Sequence, residues 1–395
     1  MLSFSESQQL VIGQARSFGK EKVSLDNAGG RVISETIVAD RDYPPFNRAA
    51  MDGYAIRETD WNLGIRSFVI KEIILAGSLP RSEIGKGECY RIMTGAAVPG
   101  SANAIIRRED VIEQSDKIEC LVKDVTSYQH VALRGADLQQ DDFIFSKPFL
   151  CSPANVAVLA SIGKHEVEVE KLPAVSIITT GDEVVSIDSV VNDVQIRNSN
   201  IHVLKSCLQK WNIIPENVVH VQDRIPEIES AIARSLSSDI IILCGGVSAG
   251  DADYVPDVLE KSGARKIFHR VSIKPGKPIW FGKVDNGPTV FALPGNPLSC
   301  LVTYKLFIEY FLFHSFGLEG PLQLSLPLKG TRSKKSQLDE FFPVNIVGIP
   351  SYYETVPFNG SGDITAALHA RAIARHPAAV AELSEGTILD AYLLF

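Results

Sequence analysis

Between about residues 173 and 318 the apolar positions of this chain fall into two alternating patterns. Short apolar runs begin at Ala174 (AVSIITT), Asn217 (NVVHV), Asp239 (DIIIL) and Thr289 (TVFAL). Their length and β-branched content predict strands, and DIIIL, with no polar break, predicts one covered on both faces. Between the runs, Ile201, Leu204, Leu208 and Trp211, and then Ile225, Ile228, Ile232 and Leu236, recur at helical spacing. A further helix is expected near 254–262 and a long one from Leu298. Strands alternating with helices predict a parallel, doubly wound sheet.

The flanking regions have a different texture. Ser3 followed by Glu6 is a capping-box pattern, with Leu10, Val11, Ala15 and Phe18 on one helical face behind it. A first helix is therefore expected to end near Gly19. Residues 41–137 are short strands punctuated by Gly and Pro, the pattern of a small β-rich module. SPANVAVLASIGK, from Ser152, predicts a helix ended by Gly163. The tail from Pro321 returns to short strands in PLQLSLPLKG, EFFPVNIVG and EGTILDAYLLF.

Composition narrows the class. A chain of 395 residues is long enough for two to four domains, and 45% hydrophobic with 22% charged residues fits a soluble globular protein. No apolar run approaches the roughly 18 residues of a membrane span, and the start, MLSFSESQQL, lacks a secretory pattern. The six cysteines form no CxxC motif and read as free thiols of a reducing cytoplasm. A net charge of −8 argues against nucleic acid as a general partner, so any anionic ligand needs a local basic patch.

Candidate chemistry gathers where the predicted strands end, which is where open α/β sheets bind ligands. One run leads into Thr180-Gly181-Asp182-Glu183, another into Gly245-Gly246-Val247-Ser248-Ala249-Gly250-Asp251-Ala252-Asp253, a third into Pro294-Gly295-Asn296-Pro297. Glycines let a backbone approach a phosphate, and loop N–H groups cradle it. Asp253, with Asp251, Asp223 or Glu183, suits Mg²⁺, which favours carboxylates plus substrate phosphates. Lys274-Pro275-Gly276-Lys277-Pro278 clasps a turn between two cations and supplies the local positive charge. Each feature alone is an ordinary turn, cap or solvated pair. Their convergence on the strand ends of one sheet points to a phosphate and Mg²⁺ site, although neither the P-loop nor the Rossmann glycine pattern is present.

Together GGVSAGDADY, KPGKP and LPGNPLS resemble the molybdopterin molybdenumtransferase family, whose eukaryotic member is the E domain of gephyrin. PPFNRAAMDGYAI (44–56) resembles the family's PPFDxSAMDGYA block, RIMTGAAVP (91–99) its IMTGAPVP block, and TTGDEV and QIRNSN further blocks. The resemblance covers nearly the whole chain. It implies an α/β multidomain fold: a linking N-terminal domain at 1–45 and 138–172, an inserted β-rich domain at 46–137, the central doubly wound, mostly parallel molybdopterin-binding domain at 173–320, and a β-barrel-like module at 321–395. It implies a homodimer that takes adenylylated molybdopterin and molybdate and, with Mg²⁺, releases AMP and leaves molybdenum on the dithiolene. Molybdopterin adenylyltransferase and recipient molybdoenzymes are the further partners it implies.

Residue roles follow by motif. Gly245, Gly246, Ser248 and Gly250, with Asp251, would line the nucleotide and pyrophosphate pocket. Asp223 and Asp253 would hold Mg²⁺, and Lys274 and Lys277 would neutralise phosphates and molybdate. Pro294, Gly295, Asn296 and Pro297 would shape the adenylate side, and Glu183 would orient groups in the cleft. Asp52 and Thr94 would reach in from the partner subunit, and Ser361 matches a family serine near the oxyanion.

The chain departs from the family at Asn47 (usually Asp), Ala49 (usually Ser) and Ala136 (usually Glu), and carries Arg107 and Arg108 at commonly uncharged positions. Leu338 stands where the family has a molybdate-binding Arg, with Lys334 and Lys335 as nearby cations. The alternative function is a non-catalytic molybdopterin-binding or scaffold protein on the same fold. A third, an enzyme that adenylylates molybdopterin, would resemble the central domain only.

Overall fold

The computed structural model describes residues 1–247 and 254–394. The chain divides into two compact units, one made of Met1–Ser34, Pro148–Val156 and the chain from Glu166 onward, the other of Glu35–Lys147 and Ala157–His165.

The first unit holds the α/β sheet. Its strands are β1 (Val175–Thr180), β2 (Asn217–Val221), β3 (Ile240–Cys244), β4 (Ala264–His269), β5 (Trp280–Val284) and β6 (Thr289–Leu293), in the order β2-β1-β3-β6-β5-β4. Strands β2, β1, β3 and β6 run parallel, as the alternating pattern predicts. Successive residues face opposite layers. Ile177, Ile242 and Phe291 pack towards α1 (Ser199–Gln209) through Leu204 and Leu208. Ile178, Ile241, Leu243 and Val290 pack towards α2 (Ile225–Ser235) and α3 (Val255–Lys261) through Ile228, Ile232, Val258 and Leu259. Both faces are therefore covered, and each buried aliphatic chain contributes roughly 1.5–3 kcal/mol.

Three elements differ from the sequence expectation. Strands β4 and β5 are antiparallel additions at the sheet edge, β5 on β6 and β4 on β5. Arg265 and Lys266 break the apolar run of β4, and Gly282 breaks that of β5, so neither reads as a covered strand. The first helix runs Phe4–Ile12 and ends at Gly13, not near Gly19. The Ser3–Glu6 capping box forms, but the Gly13 N–H closes back onto the Gln9 carbonyl, and Ala15 and Phe18 reach the core from irregular chain.

The last part of this unit is a closed ring. Strands β7 (Gln323–Lys329), β8 (Asp339–Val347), β9 (Tyr352–Thr355), β10 (Ala372–His376) and β11 (Ile388–Leu393) join in the order β8-β9-β7-β11-β10 and back to β8. Leu328, Phe342, Val344, Tyr353, Ala374 and Ala391 are buried together in its core. Closure leaves these strands no free edge within the ring. The two-residue strand Ile273–Lys274 adds in parallel to β8, which carries the lysine loop to the barrel.

The second unit is built on a six-stranded sheet with an apolar cluster on each face. Its strand Gly53–Ile56 lies between Glu88–Ile92 and Ala104–Arg107. Gly53 is obligatory there, since a Cβ would sit 2.1 Å from the Ile106 carbonyl oxygen. Among the described residues no helix is long and apolar enough to cross a membrane.

Candidate active site

A cavity of about 1610 Å³ opens in the first unit, outside the carboxyl ends of the parallel strands. Its floor is backbone. Gly245 has φ +108°, and a Cβ there would lie 2.7 Å from the Thr180 carbonyl oxygen, so only glycine lets β1 and β3 end this close together. Asn200, at the start of α1, ties the third loop down by donating from Nδ2 to the Gly295 carbonyl at 2.7 Å. Neighbouring Asn198 caps α1 by accepting from the Ile201 N–H and donates to Thr179 Oγ1 at 2.8 Å. The polar floor is thus held from behind by asparagines of the QIRNSN segment.

Two floor atoms are buried without a hydrogen-bond partner among the described residues, Thr180 Oγ1 and Asn200 Oδ1. Both residues line the cavity. An unmet buried polar atom costs about 1–3 kcal/mol, so a hydroxyl and an amide oxygen left this way mark where a ligand's polar groups belong.

The far wall is built of side chains. Lys274 and Glu340 are register partners across the added strand and β8, and Glu340 and His376 are partners across β8 and β10. Directly opposed residues share a face, so the three form one rung. Lys274 Nζ reaches Glu340 Oε1 at 3.3 Å, and Arg332 Nη2 reaches Glu340 Oε2 at 2.7 Å. Arg332 Nη1 donates to His376 Nδ1 at 2.7 Å, and its guanidinium lies 4.1 Å from the Phe342 ring centroid. Burial pushes the Glu340 carboxyl up, but Arg332 and Lys274 outweigh it and hold it below the usual range. Burial, then Arg332 and Lys334, push the His376 imidazole down, so it stays neutral and accepts.

Eleven of the expected site residues line this one cavity: Glu183, Asp223, Gly245, Gly246, Lys274, Lys277, Pro294, Gly295, Asn296, Pro297 and Ser361. Asn296 Nδ2 donates to Ser361 Oγ at 2.8 Å, which joins the Pro-Gly-Asn-Pro loop to the C-terminal segment. Asp223 donates its backbone N–H to Asp182 Oδ1 at 3.1 Å. Ser248, Gly250, Asp251 and Asp253 lie outside the described residues. Asp52 and Thr94 belong to the second unit. The Gly53–Ile92 register brings them together, and Thr94 donates to Asp52 Oδ1 from both Oγ1 (2.6 Å) and N–H (2.7 Å). Those bonds hold the Asp52 carboxyl below its usual range.

Arg332 and Glu340 were missed by sequence reasoning. That reasoning pointed to Lys334 and Lys335 as the cations nearest to Leu338. Lys334 instead donates to the Leu338 carbonyl at 2.6 Å and does not line the cavity, whereas Arg332 and Leu338 both do. Charge is divided accordingly. Glu183 and Asp223 stand among the strand-end residues, while Lys274 and Arg332 share a single carboxylate, Glu340, and Lys277 lines the same cavity. Such a division suits a metal-bridged phosphate at one side and an oxyanion at the other.

Comparison with known proteins agrees in kind. A family model described as the MoeA N-terminal region (domain I and II) matches residues 2–163, and one described as a probable molybdopterin binding domain matches residues 176–314. A molybdopterin molybdenumtransferase of Staphylococcus aureus is 30% identical over 398 residues, which cover 98% of this chain and 94% of that one. One of Staphylococcus epidermidis is 28% identical over 402 residues, covering 99% and 95%. The crystal structure of a molybdopterin biosynthesis moeA protein from Pyrococcus horikoshii OT3 matches with a TM-score of 0.83 at 26% identity, with both chains covered in full. A second moeA structure, from Pyrococcus horikosii, gives 0.79 at 28% identity, over 100% of this chain and 99% of that one.

Proposed function

The chain belongs to the molybdopterin molybdenumtransferase family, and we propose that its cavity takes adenylylated molybdopterin and molybdate, transfers molybdenum to the dithiolene and releases AMP. It is an enzyme, a transferase of molybdenum cofactor biosynthesis. The observation that carries the finer reading is the union in one cavity of a glycine floor and a lysine loop. A backbone floor at strand ends accepts a pyrophosphate, and cations across from it accept a second anion.

In this reading Gly245 and Gly246 border the pyrophosphate, joined by Ser248, Gly250 and Asp251 through their place in the motif. Pro294, Gly295, Asn296 and Pro297 shape the adenylate side. Asn200 Oδ1 offers an acceptor to an N–H edge of the bound heterocycle. Lys274 and Lys277 neutralise phosphate and molybdate oxygens, and Ser361 adds a hydroxyl. Glu183 orients groups from the strand-end side.

Mg²⁺ fits the donors present. Asp223 and Glu183 are hard carboxylates on the cavity lining, and Thr180 Oγ1 is a buried hydroxyl without a partner among the described residues. The ion commonly uses one or two carboxylates plus substrate phosphates. Asp223, with Asp253 of the adjoining loop, would hold it, and it would offset charge on the phosphoanhydride as AMP departs. The same reading includes a cytoplasmic homodimer, the four-domain division set out above, and Asp52 and Thr94 acting from the partner subunit.

Lys277→Ala is the test of the cavity. It should weaken calorimetric binding of inorganic pyrophosphate, and unchanged affinity would remove the loop from the site. Sedimentation showing only monomer at micromolar concentration would end the role of Asp52 in trans.

A further inference from the structure

We propose that Arg332 is the guanidinium that recognises the oxyanion at the C-terminal wall of the cavity, with Glu340 and His376 as positioning residues that hold its fork in place. The inference rests on the reading of the cavity as a molybdenum-transfer site. It adds a recognition residue that lies outside every motif of the chain.

Geometry supplies the case. Glu340 and His376 sit on one rung of paired strands, and Arg332 spans them, at 2.7 Å to Glu340 Oε2 and 2.7 Å to His376 Nδ1. The Phe342 ring backs the guanidinium at 4.1 Å. Its side chain is 14% exposed, and the residue lines the cavity. A guanidinium has five N–H donors in a rigid plane, and these two acceptors engage only part of them. The fork is therefore fixed in orientation before any ligand arrives, so little rotamer entropy is lost on binding.

The tautomer of His376 belongs to the same device. Its Nε2 lies 2.9 Å from the Val380 carbonyl oxygen, which can only accept. The proton therefore sits on Nε2, and Nδ1 is left to accept from Arg332. Lys274 shares Glu340 from the far side at 3.3 Å. One carboxylate thus organises two cations from separate segments without cancelling both. With Lys277 the wall keeps an excess of positive charge, as a tetrahedral oxyanion requires. The guanidinium is mostly buried against the Phe342 ring, where exclusion of water strengthens a charged hydrogen bond.

A buried Arg–Glu pair can also be purely structural, and the test separates the two roles. AMP release is followed in the full chain with saturating adenylylated molybdopterin and Mg²⁺ while molybdate is varied, for wild type, Arg332→Ala, Arg332→Lys and Glu340→Gln, with a thermal melt of each. Recognition predicts that Arg332→Ala and Arg332→Lys both raise the molybdate KM at least tenfold, with a smaller change in kcat. Glu340→Gln keeps the guanidinium, so it should lower the melting temperature while the molybdate KM changes less than in either Arg332 variant. Where Arg332→Ala is too unstable to assay, Arg332→Lys carries the same comparison. An Arg332→Lys enzyme with wild-type molybdate KM, or an Arg332→Ala enzyme that loses only thermal stability, overturns the role. A wild-type chain indifferent to molybdate overturns the transfer function and this role with it, whereas a responsive wild type with an indifferent Arg332→Ala overturns the role alone.

Discussion

The floor of the cavity is made by chain continuity and its C-terminal wall by strand pairing. At the floor, the glycines, carboxylates and asparagines directly follow the strands that aim them, as Gly245 follows β3 and Gly295 follows β6. At the wall, Lys274, Glu340 and His376 come from separate segments that sheet register makes neighbours, and Arg332, on a short strand paired with Glu382–Leu383, reaches them through its side chain. A backbone floor tolerates side-chain drift but no Cβ in the wrong place. A side-chain wall tolerates shifts in sequence position as long as a cation reaches the same place. The difference lets the cavity carry a guanidinium in Arg332 even though Leu338 stands where the family resemblance implies one.

The largest effect is expected at the floor. Gly245→Val would put a branched side chain at φ +108°, with its Cβ 2.7 Å from the Thr180 carbonyl oxygen. Backbone strain and overpacking together should cost about 2–5 kcal/mol, measurable by denaturant unfolding, and AMP release should vanish. Near-normal stability in that variant would show that the floor does not depend on the glycine.

Next come the cations. Lys277→Ala should leave stability within about 0.5 kcal/mol and weaken pyrophosphate binding about tenfold, near 1.4 kcal/mol. Lys274→Ala should cost less affinity, because Glu340 already shares that charge. Equal losses by calorimetry would mean that the wall does not temper Lys274.

The wall should be sensitive to acid. His376 is held below its ordinary value of 6.5, so the unfolded chain takes up a proton first, and stability falls as pH drops below that value. Glu340 is held below 4.5, so its contribution is full above that pH and is lost as pH falls through the depressed value. Melting temperatures from pH 8 to 4 should decline less steeply in His376→Gln than in wild type; parallel curves would contradict the assignment. Smallest of all, Lys334→Ala should leave the molybdate KM within about twofold of wild type, since that ammonium is spent on the Leu338 carbonyl. A larger rise would return Lys334 to the oxyanion site.

How much was legible in the sequence follows the same division. Ile240 to Leu243 and Thr289 to Leu293 announce buried strands, and the loops after them are contiguous, so the floor could be read directly. The pairing of β4 and β5 was not legible, because charged and glycine positions interrupt their apolar runs. Nor was the wall. Arg332 stands 8 residues before Glu340 and 44 before His376, and nothing local to Thr331-Arg332-Ser333 reveals that these partners converge. Proximity to Leu338 favoured Lys334, but its ammonium folds back onto that residue's own carbonyl. Asp52 and Thr94 were named only through the motif resemblance, and the Gly53–Ile92 register that brings them together was not legible in the sequence.

The most direct test is AMP release from purified adenylylated molybdopterin by the full chain with Mg²⁺, in the presence and absence of molybdate. The account predicts release that molybdate stimulates and that saturates with molybdate concentration. Tight binding of the adenylylated substrate with release indifferent to molybdate would contradict it, leaving a nucleotide floor without a working oxyanion wall.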